Sequence, residues 1–149
     1  MKRPLSVVFL TLASVAFAEP KAVVPPKPAD RLASVATLSP NKAKKEIKKW
    51  MKAEPKSPWP WVAQADLQLR EKRYNKCLSS TQTALERGPQ TADAYYLRGR
   101  CFEGKGKTLD AANEYRAALE AETDHAEAKE ALARLQVQLG AADAAARPN

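Results

Sequence analysis

The stretch from Ala92 to Asp124 constrains the fold most, because it holds two short helical patterns back to back. Tyr95, Gly99 and Phe102 recur at i, i+4 and i+7, one face of a first helix; Ala111, Tyr115 and Ala118 do the same on a second, beyond Gly104 and Gly106. Sliding this stretch back by about 34 residues superposes it on the chain before it. Trp61 then falls on Tyr95, Ala65 on Gly99, Cys77 on Ala111, Ala84 on Ala118, Leu85 on Leu119, Glu86 on Glu120 and Pro89 on Thr123. A second slide brings Pro55 onto Pro89 and aligns a lysine-rich helix with the second helix of a unit, and a forward slide leaves one helix with Leu132 and Ala133 over Arg98 and Gly99.

This alternation of large aromatics and small residues resembles the tetratricopeptide repeat. The resemblance implies an all-α, right-handed array of helix-turn-helix units: about two full repeats, a partial N-terminal repeat and a C-terminal capping helix. The expected units are 29–57, 58–91 and 92–125, with the end helix over 126–139 and a disordered tail over 140–149. One helix pair cannot bury its apolar face alone, so the partial units are needed for stability. Helix starts are expected at Ser39-Pro40, at Ser57-Pro58, after Thr91 and after Thr108, with Asp124 and Glu127 as a capping pair before the last helix; Gly88-Pro89 and Gly140 are expected stops. Arg98 replaces the usual leucine, Gln68 stands where an aromatic is expected, and Thr81 replaces another, so the earlier unit is expected to pack less tightly. An unrelated helical bundle is the alternative architecture.

The N-terminus reads differently. Lys2 and Arg3 precede an apolar run from Leu5 to Phe17, and small residues end at Ala18, the pattern of a secretory signal peptide over 1–18 cleaved after Ala18. The short charged region looks bacterial, so the expected location is the periplasm or the outside; a retained anchor is the alternative. Four prolines between Glu19 and Pro28 make 19–28 a proline-rich linker. Charge is uneven: between Glu19 and Lys56 there are 10 Lys or Arg against 4 Asp or Glu, and from Ser57 to Asn149 the two are balanced at 13 each.

Catalysis finds little support in the residues. His125 is the sole histidine, expected as an exposed turn residue, and no cluster has metal-ligand spacing. The expectation is no enzyme, no cofactor, no metal and no small-molecule substrate. Cys77 and Cys101 are the only cysteines, and an even count in an exported chain points to pairing. In the tetratricopeptide fold, the helices that would carry them pack together, which implies a disulfide tying the two whole units. Two buried free thiols are the alternative.

The resemblance also implies a groove lined by the first helix of each unit. The matching positions are Trp59, Val62, Asp66 and Leu69, then Asp93, Tyr96, Arg100 and Glu103, then Glu127, Glu130 and Arg134. A peptide or partner protein of the cell envelope is expected there, making the chain an adaptor or scaffold. The lysine and asparagine clamp by which some such arrays grip a C-terminal carboxylate is missing, so chaperone-tail binding of that type is not expected. The alternative site is the helix with Lys42, Lys44, Lys45, Lys48, Lys49 and Lys52, a basic surface for membrane, lipopolysaccharide or cell-wall polymer; nucleic acid is not expected, because no aromatics interleave with the charges in a stacking pattern.

Overall fold

The computed structural model describes residues 27–88 and 91–146. Seven helices follow one another there with no strand among the described residues: α1 (Pro28–Ala36), α2 (Pro40–Ala53), α3 (Trp59–Arg70), α4 (Tyr74–Arg87), α5 (Ala92–Gly104), α6 (Thr108–Ala121) and α7 (Ala126–Ala146). The expected signal segment 1–18, and the linker 19–28 apart from its last two residues, lie outside the described residues.

The helices pack as pairs. Within pairs, α1 meets α2, α3 meets α4 and α5 meets α6; between pairs, α2 rests on α3, α4 on α5 and α6 on α7, while α1, α3 and α5 form a row. The core is divided accordingly. Val35, Ala43, Ile47, Trp50, Ala63 and Leu67 fill the space among α1, α2 and α3. Val62, Ala65, Cys77, Ala84, Leu85, Ala94, Leu97 and Cys101 fill that among α3, α4 and α5, and Ala111, Ala112, Tyr115, Ala131 and Leu135 join α6 to α7. Trp61 and Tyr95 lean on the middle cluster. Each layer is shared by neighbouring pairs, so no pair is stable by itself.

The repeat is also visible in the backbone. Lys72 and Gly106 both adopt positive φ, at 57° and 72°. The amide of Arg73 donates to the Gln68 carbonyl at 2.8 Å, and that of Lys107 to the Phe102 carbonyl at 2.9 Å. These are Schellman turns at equivalent places, one closed by the residue suited to it and one by a lysine. At Gly99 an added Cβ would stand 2.5 Å from the Tyr115 ring, so the small residue sets how closely α5 and α6 approach.

Departures from the repeat pattern are absorbed by polar pairing. Gln68, buried where an aromatic was expected, accepts a hydrogen bond from the Ser80 hydroxyl at 2.8 Å. Buried Thr81 donates to the Leu78 carbonyl at 2.9 Å. Arg98 pairs with Glu114 at 2.6 Å and covers the Tyr95 ring.

Several expectations need correction. The last helix does not stop at Gly140 but runs to Ala146, because alanines follow and one interior glycine costs only about 1 kcal/mol. His125 is buried, not exposed. It also supplies the cap expected of Asp124 and Glu127, its Nδ1 accepting the Ala128 amide at 3.3 Å, while Asp124 turns outward to Lys129 at 3.2 Å. Nor do Ser39 and Thr91 cap with their side chains, the Thr91 hydroxyl donating instead to the Gly88 carbonyl at 2.8 Å, and Thr108 is the first helical residue after Lys107.

Candidate functional site

The row of α1, α3 and α5 leaves a depression that continues toward α7. Its first part is an apolar pocket of about 220 Å³ between Leu32, Val35 and Ala36 of α1, Val62 and Ala63 of α3, and Tyr96 and Leu97 of α5. Asp66 and Asp93 stand at its edge. A second, polar part of about 600 Å³ follows, lined by Asp66, Leu69, Arg70, Lys72, Arg100, Glu103 and Arg134. Asp66 belongs to both, so the two make one trough.

Polar contacts fix the trough's floor. The Tyr96 ring lies 5.8 Å from that of Tyr115 and 5.2 Å from the His125 ring. Arg100 donates to the Tyr96 hydroxyl at 2.9 Å and, among the described residues, has no carboxylate partner. Glu103 accepts from Arg134 at 2.8 and 3.0 Å and from the Tyr115 hydroxyl. Burial, and then the Glu103 carboxylate, push the Tyr115 hydroxyl far above its usual pKa, so it remains a donor at every physiological pH. Asp66 is held by Arg70 at 3.1 Å. Four cations against two carboxylates leave the polar part with a positive excess.

Of the residues expected in the groove, Val62, Asp66, Leu69, Asp93, Tyr96, Arg100, Glu103 and Arg134 line this trough. Val62 does so as a nearly buried wall, 2% exposed, because α1 lies beside it. Trp59 packs into the two N-terminal core clusters. Glu127 faces His125 Nδ1 at 3.4 Å, and Glu130 is exposed on α7 outside both parts. The α1 wall was not expected from the sequence. Its signal was present, since the same interval of about 34 residues carries Asp66 back to Leu32 and Leu69 back to Val35. Lys72 of the α3–α4 turn lines the trough as well, with Arg70 at the end of α3 and Tyr74 at the start of α4.

Behind the trough, the sulfurs of Cys77 in α4 and Cys101 in α5 are bonded, with Cα atoms 6.2 Å apart and both side chains fully buried. On α2, Lys44 pairs with Glu71 at 2.7 Å, while Lys42, Lys45, Lys48, Lys49 and Lys52 are exposed.

No protein-family model matches this sequence, and no curated relative matches it. Solved structures do resemble it. The Arabidopsis OM64 TPR domain is 24% identical with a TM-score of 0.59, over 64% of this chain and 79% of that one. The second TPR domain of human RPAP3, in complex with the HSP70 peptide SGPTIEEVD, has a TM-score of 0.62 at 16% identity, over 73% and 92%. This is the tetratricopeptide-repeat fold. The first TPR of Spaghetti (RPAP3), bound to the HSP90 peptide SRMEEVD, matches at 22% identity with a TM-score of 0.58, over 74% and 94%. In tetratricopeptide terms, α1, α3 and α5 are the first helices of three units, α1 being a shortened one, and α7 is the end helix.

Proposed function

We propose that the chain is a protein-interaction adaptor that holds an extended segment of a partner protein in the trough along α1, α3, α5 and α7. The supporting observation is the continuity of an apolar pocket with a positively biased polar one through Asp66. An apolar side chain of the ligand fits the first, and in the second Arg100 offers a guanidinium with no carboxylate partner among the described residues. That similar folds hold the peptides SRMEEVD and SGPTIEEVD supports peptide binding as the mode.

The reading extends to location: export through the segment 1–18, and service in the bacterial envelope as a scaffold without catalytic chemistry. Its support is the pattern of Lys2, Arg3, the apolar run and the small residues ending at Ala18. Crosslinking in the native cell, followed by capture with the wild type and with Tyr96→Ala/Arg100→Ala, tests the trough. The partner should be lost from the double variant while the fold persists; equal capture by both rejects the trough. N-terminal sequencing of the exported protein should begin at Glu19.

A further inference from the structure

The outer face of α2 takes no part in the trough. Ala43, Ile47 and Trp50 are buried on one side of this helix. At about 100° per residue, the opposite side carries Lys42, Lys45, Lys48, Lys49 and Lys52 within an arc of about 120° and about 15 Å of axis. All five are exposed, and none is paired with a carboxylate among the described residues. Lys44, at the edge of the arc, is the one that Glu71 neutralises. No large apolar side chain interrupts the face, and the helix's aromatic, Trp50, is 1% exposed.

We propose that this face is an electrostatic docking surface for the anionic headgroups of a lipid bilayer. The five charges radiate from a convex ridge, so a plane meets them together, whereas a linear polyanion is held best in a channel lined by its contacts. The absence of exposed aromatics on the ridge removes the stacking that single-stranded nucleic acid uses. With no apolar wedge the contact stays at headgroup level, without insertion, and depends on charge alone. Each lysine near such a surface strengthens partitioning about five-fold, and five together about three-thousand-fold at low salt. No residue of α2 lines either part of the trough, so the two surfaces share no side chain.

The test is sedimentation of the full chain with phosphatidylcholine vesicles, with or without about one third phosphatidylglycerol. The readout is the excess binding to the anionic vesicles. That excess should be large in about 50 mM salt and vanish near 500 mM. Lys42→Gln/Lys45→Gln/Lys48→Gln/Lys49→Gln should reduce it at least about 100-fold with an unchanged melting curve, and arginine at the same four positions should retain it. Tyr96→Ala/Arg100→Ala should leave it intact, which separates this surface from the trough. No excess over neutral vesicles, an unaffected glutamine variant, or binding to soluble polyphosphate with none to vesicles overturns the proposal.

Discussion

Reducing the Cys77–Cys101 bond should cost this domain a large share of its stability. The bond spans a sequence separation of 24 and joins α4 to α5 across the middle core cluster, with both sulfurs out of water. In the chain-entropy account, a loop of about this length restricts the unfolded ensemble by roughly 3.5 kcal/mol. Domains of this size have about 5–15 kcal/mol in total. The urea midpoint should therefore fall by about 2 M, and the melting temperature by about 14 °C. Because the sulfurs are inaccessible in the folded state, the bond is best reduced in denaturant, and the protein then refolded with reductant present. Cys77→Ala/Cys101→Ala gives the same comparison without reductant, with a further loss from the missing sulfur contacts. Alkylation of the unreduced, denatured protein should modify no thiol. Two reactive thiols, or coincident unfolding curves with and without reductant, refute the reasoning.

Other expectations come from single positions. Lys72→Gly should stabilise the domain by about 1 kcal/mol in urea unfolding, since lysine at positive φ is strained where glycine is not, and Gly106→Ala should cost a similar amount. Gly99→Ala should destabilise by roughly 1–3 kcal/mol, because its Cβ meets the Tyr115 ring and α5 must move off α6. The Lys44 hydrogen bond, and the neighbouring Arg73, hold the Glu71 carboxyl below its usual pKa. A depressed carboxylate adds stability that is complete above the unfolded value, about 4.3, and lost as pH falls through the folded one. The stability gap between the wild type and Lys44→Gln should thus be present at neutral pH and close in acid.

The architecture was legible because its determinants are local and repeated: Tyr95, Gly99 and Phe102 on one face, Ala111, Tyr115 and Ala118 on the next, and the same order one unit earlier. Eight residues lining the trough could be placed by that register together with the resemblance, which implies that the first helix of each unit lines a groove. Trp59 could not, because whether a helix's first residue faces a groove or a core depends on the element before it, and α1 with α2 closes over that end. His125 was misjudged for a related reason. A turn residue looks solvated in sequence, yet the ring is drawn in by Asp93 at 3.2 Å and by Tyr96, both on α5 at the far end of the same unit. α7 runs past Gly140 to Ala146 because alanine is the best helix former, and the alanines that follow outweigh one interior glycine.

The shortest helix has an outsized part in all this. α1 spans nine residues, and its single buried side chain is Val35; its Leu32 and Val35 nevertheless form one bank of the apolar pocket. A guest seated there touches α1 and α3 at once, so it clamps the least anchored part of the body to the rest. Loading and docking of that helix are then one equilibrium seen from two ends: whatever loosens the helix weakens the guest's hold, and the guest in turn keeps the helix in place.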